Sequence, residues 1–409
     1  MSKSVSIIGA GLAGCEAALQ LSSMNYKVNL YDSKPERLLT IYNLPTYAEL
    51  VCNNSMGAIG KKYPLGVLAL ELKCLGSKLI NIAEKNKLDD EKFLSVDRKA
   101  FSKDVTNCLK KNGVNIINKH ICNIPEDDYV IIATGPLTDE KIISFLQKKY
   151  NIEKAHFSDA SCAIVDINSI DIENSLVTKI SNDVYLVSFP KKLFEIFCNE
   201  LVFQNKLNSV HSIDKSFDFE KCQSIESLAQ NGTDVLYKTR FKHDYFDGPC
   251  LMLRRECALN DGFIMVGCTT TLGHAAQKKI FSIIPGFKNC RIIKYGRMHR
   301  NTYFDSPKTL NHFFQINNTN TFIIGQLSGI DGYLPAIASG LVASIKIIYG
   351  KSSPKFPKDT MIGGLANYIS NNEVSDFQPM CASFSLLENS YYNIDSILKY
   401  VETLKKLRE

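Results

Sequence analysis

No stretch of this chain approaches the ~18–20 consecutive apolar residues of a membrane helix. The apolar N-terminal run is broken by glycines and then by polar residues, which reads as a strand and not as a signal peptide. The thirteen cysteines contain no C-x-x-C pair and are odd in number, which excludes a complete disulfide framework. They read as reduced thiols, mostly small buried hydrophobes, in a cytoplasmic protein. No internal repeat or low-complexity tract is present. Charge is also weak evidence: a net +6 permits an RNA partner without demanding one.

What is present is a globular composition, with 45% hydrophobic and 22% charged residues over 409 positions. At ~150 residues per domain this length predicts about two domains. Val5-Ser6-Ile7-Ile8 is a short apolar run ending in glycines, and Leu12 to Ser23 carries apolar residues at helical spacing. Lys27 to Tyr31 alternates like a strand and runs into Asp32. Residues 97 to 111 read as an amphipathic helix, and Tyr129 to Ala133 as a buried strand ending at Thr134-Gly135-Pro136. From about 140 to 290 strand-like runs such as Val184 to Phe189 alternate with helical runs such as Lys192 to Asn205. Thr321 to Gly325 restores buried-strand character, Asp331 to Ile347 reads as a glycine-led helix, and Ile394 to Arg408 as a final helix. The predicted fold is α/β, a discontinuous Rossmann-like FAD-binding domain with an inserted α+β domain. Residues 1–140 and 295–409 form the FAD-binding domain and 141–294 the insert, which contacts substrate and RNA.

The cofactor prediction rests on Gly9, Ala10, Gly11, Leu12, Ala13 and Gly14. In this G-x-G-x-x-G spacing, Gly9 allows the tight turn out of the strand and Gly11 lets the backbone approach a pyrophosphate. Gly14 lets helix and strand pack closely. The helix N-terminus offers free N–H groups and the positive end of its dipole. Asp32, placed 18 positions after Gly14, can accept from a ribose diol. Two further glycine corners favour FAD over a lone NAD site: Thr134-Gly135, and the late return through Gly325, Gln326, Gly332 and Tyr333.

Two cysteines stand where apolar residues give way to polar ones. Cys52 lies in Ala48 to Ser55 (AELVCNNS) and Cys222 in Phe219 to Glu226 (FEKCQSIE). The residues alone leave open whether each is structural or reactive.

The sequence closely resembles the folate- and FAD-dependent tRNA (uracil-5-)-methyltransferase family, TrmFO. The likeness runs through Ile8 to Gly14, Ala48 to Ser55, Val96-Asp97-Arg98, Ile131 to Thr138 and Phe219 to Glu226. It continues through Ile284 to Phe287, Tyr295 to Thr302, Gly325 to Tyr333 and Asp376 to Met380. The pieces occur in family order across nearly the whole chain. The resemblance implies formation of 5-methyluridine at C5 of uracil, position 54 of the tRNA T-loop. Methylenetetrahydrofolate would supply the one-carbon unit, and NADPH or NADH would reduce FAD. The cysteine matching Cys222 would attack uracil C6, and the one matching Cys52 would take the C5 proton. No metal is implied.

Candidate RNA contacts are basic and aromatic clusters, because guanidinium groups grip phosphates and aromatics stack on splayed bases. They are Arg240 and Lys242, then Arg254 and Arg255. For Arg297, His299, Arg300 and Asn301 the family match implies an active-site role. The chain departs from the family at Asp32 (usually glutamate), Gly332-Tyr333-Leu334-Pro335, Leu253 to Asn260 and Cys381. These departures leave FAD in place and open the choice of RNA. One alternative is the same chemistry on a uridine of 23S rRNA. Another is a catalytically inactive FAD-containing RNA-binding protein, against which stands the presence of both Cys52 and Cys222. The wobble-uridine-modifying relative carries a long C-terminal helical extension that this 409-residue chain does not show.

Overall fold

The structure, a computed structural model, describes residues 3–35, 44–208, 223–244, 246–256, 261–374, 377–388 and 392–408, with backbone alone for 155–160 and 297–300. The N-terminal part runs β1 (Ser4–Ile8), α1 (Leu12–Ser22), β2 (Lys27–Asp32), β3 (Ser55–Ala58), α2 (Pro64–Cys74), α3 (Lys78–Lys85), β4 (Phe93–Ser95), α4 (Arg98–Lys111), β5 (Asn115–Asn118), β6 (Tyr129–Ile132) and α5 (Glu140–Tyr150). The middle part runs β7 (Lys154–Asp166), β8 (Val177–Lys179), β9 (Val184–Ser188), α6 (Lys191–Asn208), α7 (Ile225–Gln230), α8 (Thr233–Leu236), β10 (Lys242–His243), β11 (Phe246–Glu256), β12 (Gly262–Thr269), α9 (His274–Phe281) and β13 (Ile292–Lys294). The chain then follows β14 (Arg297–Phe304), β15 (Thr321–Ile323), α10 (Tyr333–Tyr349), α11 (Met361–Tyr368) and α12 (Ile394–Lys406).

Apolar strands buried on both faces need helices on both sides, and they pair in parallel. Ile7 lies opposite Leu30 and Ile131, and none of the three is exposed to solvent. The resulting parallel sheet has the order β15-β6-β1-β2-β5. This is the order of a dinucleotide-binding half, with the reversal of winding beside β1. β15 joins β6 after nearly 190 residues, so the late strand does return to the first sheet, as its buried-strand character predicts.

Local signals fix several helix starts. Asp97 caps α4 by accepting from the Lys99 and Ala100 amides at 3.0 Å. Asp139 caps α5 by accepting from Lys141 N–H at 2.9 Å. The stretch Tyr333–Ser352 is long and apolar enough to cross a membrane, yet 67% of its apolar 18-residue window is buried, largely as α10 packed on α1. It is a core helix.

The middle part builds a second, antiparallel sheet in the order β13-β7-β12-β11-β9-β8. Its core is separate from the first and gathers Val165, Phe197, Phe241, Leu253, Phe263 and Phe287. β14 pairs with β7 from Arg297 opposite Ser161 to Phe304 opposite Lys154. This long ribbon carries the chain between the two cores: Ala163 and Val165 belong to the second, Tyr303 and Phe304 to the first. Residue 295, the expected joint, falls between β13 and β14, both of which pair with β7.

Candidate active site at the edge of the parallel sheet

Adjacent parallel strands end on one edge, so the loops after β1, β6 and β15 lie side by side. The first loop is shaped by close approach. Gly9 has φ +104°, and a Cβ there would stand 2.3 Å from the Ala133 carbonyl oxygen. A Cβ on Gly14 would stand 2.0 Å from the Gly9 carbonyl oxygen. Both positions exclude any side chain. Gly11 differs: a Cβ there meets nothing within 4 Å. The protein itself does not need this glycine, and the open space lies where a pyrophosphate would approach. Gly11 is also the N-cap of α1, which has no side-chain cap and no acidic residue in its first turn. Leu12 and Ala13 begin the helix with buried side chains. Its first N–H groups are therefore available to an anion.

Asp32 closes β2 and braces this loop. Its carboxylate accepts from Ala10 N–H at 2.7 Å and from Lys34 N–H at 2.9 Å. Each oxygen keeps a second acceptor site for a ribose hydroxyl. At the second corner Gly135 has φ +72°, and the Thr134 and Thr138 hydroxyls bond at 2.6 Å. Pro136 accepts at 3.1 Å from Thr302 of β14. At the third corner the Gly325 amide donates to the Ser339 hydroxyl at 2.8 Å, beside half-buried Gln326. Gly332, at φ +98°, caps α10 without a side-chain bond. These corners offer uncapped helix ends, a braced carboxylate and unhindered backbone, a donor set that fits a flavin dinucleotide.

Cys52 is brought to the same edge. Ala48 N–H donates to the Ala10 carbonyl at 2.9 Å, which lays the AELVCNNS segment along the glycine loop. Buried Glu49 pairs with Lys34 at 3.1 Å. Tyr333, the first residue of α10, then gathers the other end. Its hydroxyl accepts from the Cys52 and Asn53 amides at 2.7 and 3.0 Å and donates to the Asn53 carbonyl at 3.0 Å. Burial, and next the Cys52 sulfur, push the Tyr333 phenol well above its usual range. It therefore stays a neutral hydroxyl, able to accept and donate at once. Cys52 itself is half-buried, whereas Cys198 and Cys250 are buried and their thiols are pushed up to about 11 by that burial.

Cys222 lies outside the described residues, but the residues after it are anchored. The Gln223 carbonyl accepts from the Thr269 hydroxyl at 3.1 Å and from Arg240 Nη2 at 3.2 Å. Ser224 caps α7. Buried Glu226 accepts from the Thr271 amide and hydroxyl, both at 2.6 Å.

The basic candidates separate once placed. Lys242 is exposed, as an RNA contact requires. Arg240 is half-buried and spends its guanidinium on the Gln223 carbonyl. Arg254 corrects its expectation: it is 2% exposed, pairs with Asp90 at 3.1 Å and lies 4.7 Å over the Phe93 ring. A guanidinium so enclosed holds the two units together and is not offered to a phosphate. Arg255 pairs with Asp183 at 2.7 Å and remains partly exposed. Asn301 is buried, and the side chains of Arg297, His299 and Arg300 lie outside the described set.

Sequence reasoning missed the ion pair that joins the units most deeply. Arg98, at the first turn of α4, meets Glu256, at the end of β11, at 2.9 Å, with side chains 1% and 0% exposed. Nearby, the Asn54 side-chain amide donates to the Arg255 carbonyl. The Val96-Asp97-Arg98 motif was visible, but its partner stands 158 residues away.

Comparison with known proteins finds relatives along nearly the whole chain. Residues 4–352 match the family model GIDA, glucose inhibited division protein A. A methylenetetrahydrofolate–tRNA-(uracil-5-)-methyltransferase TrmFO of Lactobacillus acidophilus is 36% identical over 406 residues, covering 95% of this chain and 92% of that protein. The protein of the same name from Staphylococcus aureus is 35% identical over 445 residues, covering 99% and 100%. Among solved structures, Aquifex aeolicus GidA in its form I crystal superposes with a TM-score of 0.73 at 17% identity, over 100% of this chain and 76% of that one. At that identity the likeness is one of fold.

Proposed function

Because the chain belongs to the GIDA family and, within it, to the folate- and FAD-dependent tRNA (uracil-5-)-methyltransferases, we infer that it methylates C5 of a uracil in tRNA, with methylenetetrahydrofolate as one-carbon donor. The observation that carries this reading is the Tyr333 hydroxyl bridging Cys52 to the start of α10, beside the glycine loop. An FAD domain serving electron transfer alone has no use for a cysteine held there. We assign residues 1–140 and 295–409 to the cofactor and 141–294 to the RNA.

When bound, FAD would supply the electrons and the one-carbon transfer chemistry, with NADPH or NADH as its reductant. The chain supplies the rest. Uracil C5 is a poor nucleophile until a thiolate adds at C6. The Cys222 sulfur forms the S–C6 bond, and the displaced electron pair passes through C5 to the C4 oxygen. When C5 has bonded to the new carbon, Cys52 takes the C5 proton. Departure of the Cys222 thiolate then restores the C5–C6 double bond, as the transferred carbon gives up its bond to its carrier and takes the hydride equivalent that reduced FAD would supply, becoming the methyl group. Gly11, Asp32, Gly135 and Gly325 hold the cofactor, and Tyr333 fixes the backbone carrying the base. Arg240, Thr269 and Glu226 pin the segment that follows the nucleophile. Lys242 and Arg255 are partly or fully exposed and suit phosphate contacts. The target uracil is that of position 54 in the T-loop. tRNA and reduced nicotinamide are cytoplasmic reactants, which supports a cytoplasmic enzyme.

The test uses the purified yellow protein with methylenetetrahydrofolate and NADPH on tRNA and 23S rRNA transcripts, read by nucleoside mass spectrometry. The expected product is 5-methyluridine at position 54 of tRNA. Product in 23S rRNA alone would overturn the tRNA assignment while preserving the chemistry. Absence of product from both, with flavin bound, would overturn the enzyme assignment.

A further inference from the structure

A second group of side chains on the cofactor edge has no part in this chemistry. His120 and Cys122 follow β5, and Asp139 caps α5 after the Thr134-Gly135 corner. Their ligand atoms, one from each, all lie within 4.8 Å of one another. His120 Nε2 and an Asp139 oxygen are 2.9 Å apart, with side chains 36% and 24% exposed, and Cys122 is half-buried. His120 and Cys122 stand two residues apart in the loop that leaves β5, and the fold of that loop brings both toward Asp139. Asp139 is preset, because its other oxygen accepts from the Lys141 amide at 2.9 Å. That amide, with His120 and the Lys141 charge, holds the carboxyl below the usual carboxylate range.

We propose that His120, Cys122 and Asp139 form a binding site for a borderline divalent cation of the zinc class, with water as fourth ligand. One nitrogen, one sulfur and one oxygen suit this class and not magnesium or calcium, which prefer oxygen alone. Zinc distances of ~2.0–2.3 Å to such atoms require neighbouring ligands somewhat under 4 Å apart, which side-chain rotation reaches from the observed positions. On binding, the Cys122 thiol gives its proton to solvent. His120 binds as a neutral imidazole through Nε2, so the metal replaces its hydrogen bond to Asp139. The thiolate and carboxylate then balance the two positive charges. Two loops of the cofactor edge become joined. One leaves β5 beside Lys119, whose amide donates to the Asp32 carbonyl at 2.8 Å, and the other begins at Gly135. The site is independent of the methyltransferase reading and distant in sequence from Cys52 and Cys222.

The test is stripping the flavin-loaded full chain with a chelator, adding Zn²⁺, and measuring retained zinc and its X-ray absorption fine structure. The expected result is one zinc per chain with one sulfur neighbour at ~2.3 Å. That sulfur disappears in Cys122→Ser. In His120→Ala affinity falls by more than the ~10–100-fold typical of losing an outer-shell partner. Both residues lie in a surface loop, so flavin absorbance and the melting temperature without metal should match the parent chain. No retained zinc, a zinc without sulfur, or binding unchanged in Cys122→Ser overturns the proposal.

Discussion

The two units hold their site residues by opposite means. On the parallel sheet the cofactor edge is made of backbone: glycine corners, uncapped helix starts and amides that meet a single carboxylate or hydroxyl. The antiparallel unit is fastened by charged side chains that leave water altogether, Arg98 with Glu256 and Arg254 with Asp90. A backbone cradle rests on close approach and on single amide hydrogen bonds, some short-range, as Ala10 to Asp32, and some reaching across the chain, as Cys52 to Tyr333, so it tolerates few substitutions. A buried ion pair is only as good as its complement across the interface, since each charge left alone carries its full desolvation cost. The cofactor side is thus held by backbone, and the face that meets it by buried charge.

The sharpest separation comes from the cysteines, one from each unit. Cys222→Ala and Cys52→Ala should each reduce 5-methyluridine formation to background while the flavin spectrum persists. Loss of flavin in Cys52→Ala would instead make that residue part of the cradle. Next in size is Arg98→Met, which strands Glu256 and should cost about 3–5 kcal/mol in denaturant unfolding. Adding Glu256→Leu should recover most of that loss, and failure to recover it would place the cost in α4 and not in the interface.

The glycines give a smaller and more selective contrast. Gly14→Ala forces a carbon to 2.0 Å from a carbonyl and should cost about 1–3 kcal/mol together with FAD retention. Gly11→Ala meets no protein atom, so its stability should change by under about 0.5 kcal/mol while FAD dissociates faster. Equal stability losses in the two would remove the phosphate from Gly11. Tyr333→Phe leaves the Cys52 and Asn53 amides without their acceptor and should cost about 1–3 kcal/mol. It should lower kcat more than it raises KM for tRNA. The smallest effect is expected for Lys242→Ala, a few-fold rise in KM at unchanged stability, growing weaker with salt.

What could be read from the sequence follows the same division. The turn after β1, the helix from Leu12, β2 ending at Asp32, β6 and the late return of β15 all announce themselves, because apolar period and glycine placement are local. Helix α4 was expected at 97–111 and spans Arg98–Lys111 behind its Asp97 cap. The β7–β14 ribbon was not anticipated, since its register joins residues more than 130 positions apart and its strands mix polar and apolar side chains. Arg254 read as a surface cation for a related reason. Adjacent arginines in a polar segment look solvated until Asp90 and Phe93, from the other unit, close over one of them. Cys52 was legible as a candidate, but its anchor was not, because Tyr333 reaches it from 281 positions away.

At the centre stands a flavin on the glycine edge that passes one carbon to uracil. The most direct measurement supplies carbon-13-labelled methylenetetrahydrofolate, NADPH and an unmodified tRNA transcript to the flavin-loaded protein, then weighs the nucleosides. The expected product is 5-methyluridine whose methyl carbon is labelled, formed only when NADPH or NADH is present. Unlabelled 5-methyluridine, or none at all with flavin bound and reducible, would contradict it.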